Sequence, residues 1–146
     1  MFAKLKEKLA GGAQRLAGRT DLLEAVCASC ALVAAADGTI EDSEVAQIGQ
    51  SLSNHPVLSA AFSPREIEAV IDKMLARAQG GRAGRAGLYK EIEEAKAKST
   101  ADDLEMIVLV ALDVADADGD LGDDEKAVVE KIGKTLGVST AALMEV

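Results

Sequence analysis

Residues 101–137, "ADDLEMIVLVALDVADADGDLGDDEKAVVEKIGKTLG", read as two helices joined by an acidic turn. From 101 to 117 apolar residues surround most of the helical circumference through the middle of the segment, the mark of a helix buried in a bundle. Val128, Val129, Ile132 and Leu136 then recur at helical spacing, and Gly137 supplies a left-handed stop. Between them "DVADADGDLGDDE" (113–125) places seven carboxylates in thirteen positions, with no Lys or Arg before Lys126.

The same pattern occurs 81 residues earlier. Laying "VAAADGTIEDSEVA" (33–46) over "VADADGDLGDDEKA" (114–127) gives identities at eight of fourteen positions, from Val33/Val114 through Asp37/Asp118 and Gly38/Gly119 to Ala46/Ala127. Each copy is a helix, an Asp-Gly turn, an apolar residue (Ile40 or Leu121) and a second helix that opens with acids. Two similar hairpins imply a pseudo-two-fold arrangement, with the acidic turns facing each other or side by side.

The remaining segments are helical too. Leu22, Leu23, Val26, Cys27, Cys30, Val33 and Ala34 form one stripe over 20–36, and Gly38 ends that helix; Thr39 with Asp42 resembles a capping pair for the next, which runs to about Leu52. "NHPVL" is a Pro-marked joint before a short turn of helix near 58–62. Ser63-Pro64-Arg65-Glu66 is a capping box with Pro at the first helical position, and Ile67, Val70, Ile71, Met74, Leu75 and Ala78 continue that helix. "GGRAGRAG" (80–87), with four Gly in eight residues, predicts a loop or broken helix. Residues 88–97 predict a charged surface helix, and a last short helix starts near Ser139. The expectation is an all-α, single-domain bundle of seven or eight helices, with residues 1–19 as a basic amphipathic segment and 20–146 as the helical domain.

Composition supports this and excludes several functions. The 146 residues are 49% apolar but only 2% aromatic, and β-branched residues never gather into runs. A net charge of −9 argues against nucleic acid, which demands a basic face and aromatic platforms. No apolar run reaches membrane-spanning length and no signal-peptide core is evident, so a soluble cytoplasmic protein is expected. Charge is also uneven: residues 1–19 carry five bases and one acid, whereas 101–125 carry ten acids and no base.

Acids in the first turn of a helix are stabilised by its dipole, which accounts for Glu41, Asp42 and Glu44 and for Asp123, Asp124 and Glu125. It does not account for Asp113 and Asp116, which fall in the last turns of the preceding helix. At roughly 100° per residue, Asp102, Glu105, Asp113 and Asp116 share a sector of about 80°. Such a face calls for a compensating charge, and a hard divalent cation held by oxygen ligands supplies one. A true EF-hand does not fit, since the first ligand position is Val114 in the second turn and Val33 in the first. A solvated acidic face that docks a basic partner is the alternative.

The two Asp-Gly turns, "AADGTIEDSE" and "ADADGDLGDDEKAVVEKIGKTLGV", resemble the TerB-like (tellurite-resistance B) family of small helical bacterial proteins over about residues 20–145. The resemblance implies a bundle of about seven helices whose acidic turns form a metal-binding site, and a non-enzymatic role in tellurite resistance and related stress responses. It suggests the membrane protein TerC as partner. Carried over, the metal-site candidates are Asp37, Asp42 and Glu44 in the first turn and Asp118, Asp123 and Glu125 in the second; Asp116 and Asp120 join them on local charge. Ca²⁺ is the favoured cation, with Mg²⁺ and Mn²⁺ as alternatives. TerB-like domains also occur as modules in other proteins, including a J-domain co-chaperone.

Three further features receive plainer readings. Cys27-Ala28-Ser29-Cys30 lacks the extra ligands of a zinc site and the βαβ setting of a redox motif, and it lies inside an apolar stripe, so both cysteines are expected in the core. His55, the lone histidine, is expected in a loop role, because no nucleophile accompanies it. Phe2, Leu5 and Leu9 among Lys4, Lys6 and Lys8 are expected to dock on the domain or to touch a membrane surface weakly. A monomer is expected.

Overall fold

The two hairpins of the repeat frame the architecture in the computed structural model, which describes residues 16–116 and 121–144. The first consists of α1 (Thr20–Ala34) and α2 (Asp42–Asn54). It is followed by α3 (Pro56–Ala61), α4 (Pro64–Ala78) and α5 (Gly81–Lys96). The second hairpin consists of α6 (Ala101–Asp116) and α7 (Asp123–Leu136), and α8 (Thr140–Met144) closes the described chain. No strand occurs among the described residues. Shifted by 81 residues, α1 and α2 fall on α6 and α7 to within one residue at every end.

α1 and α6 are the most deeply buried helices, which is why their sequences are apolar nearly all round. α1 packs against α4, α5 and α6, and Leu22, Val26, Ile71, Met74, Leu88, Ile92, Ile107 and Val110 meet in a continuous core. Leu16 is wholly buried in the same core, so packing begins upstream of α1. Phe2, Leu5, Leu9 and their flanking lysines lie outside the described residues.

The helix ends follow their local chemistry. Ser63 Oγ accepts from Glu66 N–H while Glu66 Oε1 accepts from Ser63 N–H, the reciprocal box expected from the sequence. α7 ends in a Schellman motif: Gly137 has φ +73°, Val138 N–H donates to Gly133 C=O and Gly137 N–H to Lys134 C=O.

Two expectations are corrected. "GGRAGRAG" is not a loop or a broken helix, because α5 runs through it from Gly81. Its glycines serve closeness: a Cβ on Gly84 would stand 1.9 Å from the Arg77 carbonyl oxygen, so only Gly lets α5 leave the end of α4 at this separation. The cost in helix propensity is offset by Leu88, Ile92 and Ala95, which α5 buries in the core. Nor do Thr39 and Asp42 cap α2. Glu41 is the N-cap residue and its N–H donates to Glu44 Oε1, while Thr39 N–H donates to Asp37 Oδ1.

Candidate functional site

The acids that open α2 and α7 have their places because both helices begin in the same way. Gly38, with φ +97°, turns the chain after α1, and Asp37 Oδ1 holds the turn by accepting Thr39 N–H at 3.2 Å. Glu44 and Glu125 are each the third residue of their helix, and each reaches back to the N-cap backbone. Glu41 N–H donates to Glu44 Oε1 at 3.4 Å, and Gly122 N–H donates to Glu125 Oε1 at 3.0 Å. One oxygen of each carboxylate is thereby fixed, and the side chain is oriented by its helix terminus.

These turns border one cleft of about 620 Å³. Its floor is made of buried small and apolar side chains from α1, α2 and α6, and its rim of Asp37, Glu44, Asp123, Asp124 and Glu125. Among the described residues, no basic side chain lines it. The lining follows the repeat: Cys30 and Ala111, Val33 and Val114, Ala34 and Ala115, and Glu44 and Glu125 are pairs of equivalent residues, each with both members on the cleft. The first turn and the starts of α2 and α7 therefore lie around a shared opening.

Of the expected metal-site residues, the structure brings Asp37, Glu44, Asp123 and Glu125 to this cleft. Asp42 and Asp116 are exposed and do not line it. Asp118 and Asp120 lie outside the described residues. Asp124 belongs to the rim although it was not among the expected ligands. Its repeat equivalent is Ser43, so the alignment of acids gave no reason to select it. Among the described residues, no group of three or more His, Cys, Asp or Glu side chains is gathered to hold a metal. The donor set is nevertheless the hard, anionic oxygen type that divalent cations take, and each capping glutamate keeps a second oxygen.

Asp113 has a partner that local sequence could not supply. His55 Nε2 lies 2.9 Å from Asp113 Oδ2, and His55 Nδ1 accepts Val57 N–H at 3.2 Å. With Nδ1 an acceptor, the ring proton sits on Nε2 and is donated to the carboxylate. His55 is thus buried, caps α3 and ties the α2–α3 joint to α6, a more structural role than that of a simple loop residue.

Cys27 and Cys30 are buried free thiols, as their stripe implied. Burial pushes both up, Cys30 to about 12, and the neighbouring Cys30 and Glu24 raise Cys27 further. Cys30 lies on the cleft floor as a small apolar surface rather than as a thiolate.

The fold and the cleft define a class: an all-α protein built on a duplicated helical hairpin, with one acidic opening between the copies. This chain belongs to the TerB family, since the family model described as "Tellurite resistance protein TerB" matches residues 23–146. No curated protein and no solved structure matches it. No helix among the described residues is long and apolar enough to cross a membrane.

Proposed function

We propose that this protein is a non-enzymatic, cytoplasmic adaptor of a bacterial tellurite- or metal-stress system, and that it binds a divalent cation, Ca²⁺ first among them, between its duplicated acidic turns. The observation that supports this reading is the pairing of repeat-equivalent residues around a cleft rimmed by five carboxylates and, among the described residues, lined by no base. Asp37, Glu44, Asp123 and Glu125 would hold the ion, with Asp118 and Asp120 from the second turn. A bound cation would supply charge neutralisation between two helix starts and fix the hairpins relative to each other. A protein partner, TerC where the family resemblance points, would read that change.

A second reading rests on the cleft floor. Val33, Ile48 and Val114 make the opening amphipathic, a surface suited to a partner segment with apolar anchors and basic flanks and needing no metal.

Glu44→Gln and Glu125→Gln test the rim without unfolding it, because glutamine keeps the oxygen that accepts the capping N–H while removing the charge, and direct cation titration separates the two readings. Calorimetric titration of chelator-stripped protein with Ca²⁺, Mg²⁺ and Mn²⁺ should give saturable binding that either variant weakens by about tenfold or more. Absence of binding by the wild type to all three ions would sink the cation reading. Salt-sensitive partner binding in chelator would then favour direct docking.

A further inference from the structure

A second cleft, of about 600 Å³, opens between α5 and α7 and has the opposite character. Among the described residues, its charged lining is Arg82 and Arg85 from α5 and Lys131 from α7, with no acid. The absence of acids is notable in a chain with 25 acids and 16 Lys and Arg, where Arg19 meets Asp21, Arg77 meets Glu91 and Lys73 reaches Glu24. Arg82 and Arg85 have no such partner among the described residues.

The cations are also positioned. Lys131 Nζ sits 4.3 Å from the centre of the Tyr89 ring, which holds an otherwise mobile ammonium at the cleft wall. Arg82 and Arg85 are three residues apart, so they project from one face of α5. The close approach at Gly84 lies between them and sets where that face stands against the rest of the fold.

Three cations demand more charge than a single carboxylate offers, and two guanidinium forks beside an ammonium match the several oxygens of a phosphate. The volume is that of a small-molecule site, and the walls from Leu32, Ala35 and Val128 give an apolar body a place to rest. We propose that this cleft binds a phosphate-bearing small anion, either free inorganic phosphate or polyphosphate, or a phosphate monoester. The site is separate from the acidic cleft and does not depend on the reading given to that cleft.

Tyr89 is the only tyrosine and the chain has no tryptophan, so tyrosine emission reports this cleft alone. The full chain would be titrated at fixed ionic strength with inorganic phosphate, pyrophosphate, ribose 5-phosphate and, as control, sulfate. Calorimetry in parallel would detect binding that leaves emission unchanged. The expected result is saturable binding of at least one phosphate species, weakened by about tenfold or more in Arg82→Gln/Arg85→Gln, with unchanged helical circular dichroism. Tightest binding of ribose 5-phosphate would assign the site to esters, and tightest binding of pyrophosphate to the inorganic species. No binding of any phosphate, equal binding of sulfate, or undiminished binding in the double variant would overturn the proposal.

Discussion

Replacing Gly84 by alanine would place a methyl carbon 1.9 Å from the carbonyl oxygen of Arg77 and 3.0 Å from its carbonyl carbon. Both are backbone atoms at the end of α4, so no rotamer change relieves the overlap and α5 must move away from the corner. Overpacking of this kind costs about 3 kcal/mol or more, at the upper end of the usual range. Alanine returns about 1 kcal/mol through helix propensity, which leaves a net loss of about 2 kcal/mol. At this chain length that lowers Tm by roughly 4–8 °C. Gly87, three residues on, supplies the internal control. Its added Cβ would meet only the guanidinium Nη2 of Arg77 at 2.9 Å, the far end of a flexible side chain. Gly87→Ala should therefore be neutral or stabilising by up to about 1 kcal/mol. Thermal and urea unfolding followed at 222 nm would compare both variants with the wild type. Equal or greater stability in Gly84→Ala would show that α4 and α5 do not approach this closely, and the account of "GGRAGRAG" as a packing device would fall with it.

Two other predictions concern titrating groups whose surroundings shift them, one half-buried and one in the core. Burial, then hydrogen bonding to Glu91 and its charge, hold the Glu24 carboxyl above its ordinary value, against a smaller opposing effect of Lys73. The folded state therefore binds this proton more tightly than the unfolded chain. Its contribution is present below the ordinary Glu range and is lost as pH rises through the raised value. Glu24→Gln should raise the urea midpoint at pH 7 and leave it nearly unchanged near pH 3.5; an equal gain at both pH values would refute this origin. For Cys30, a thiol at about 12 leaves roughly one part in ten thousand as thiolate at pH 8, and burial pushes the Cys27 thiol well up too. Labelling by a small disulfide reagent should be slow in native protein and complete within minutes in denaturant, and fast native labelling would contradict the buried assignment.

The all-α fold was legible because its strongest signals are local. The apolar periodicity of 101–117, the Ser63–Glu66 box and the Gly137 stop each need only a few neighbouring residues, and each appears where it was expected. What escaped depends on distant partners. Gly81 to Gly87 count against a helix until the Arg77 carbonyl is brought against Gly84, and Asp113 lacks a hydrogen-bond donor until His55 arrives from 58 residues away. The acids presented a mixed case. The repeat implied that the turns lie together, and Asp37, Glu44, Asp123 and Glu125 do share a cleft. Helical spacing alone did not distinguish them from Asp42 and Asp116, whose side chains lie off it.

The repeat explains one cleft and not the other, and this difference gives the two openings separate histories of constraint. Around the acidic cleft, Cys30, Val33, Ala34 and Glu44 each have their equivalent on the opposite wall. A change in one hairpin there acts on a surface that the other hairpin shares. The basic cleft has no such counterpart. The position equivalent to Lys131 is Gln50, that equivalent to Val128 is Gln47, and Arg82, Arg85 and Tyr89 come from α5, which lies between the repeats. The inserted helices thus break the duplication on one side and cover α1 there. The first Asp-Gly turn lies between the two clefts, with Asp37 on the acidic opening and Ala35, Ala36 and Gly38 on the basic one. Any ligand that shifts this turn on one side therefore alters the wall of the other. By linkage, an anion that alters cation affinity must have its own affinity altered by the same factor. Measuring each affinity with the other site saturated tests whether the shared turn couples them: a coupling factor of one would show that the two openings act independently and that the turn transmits nothing between them.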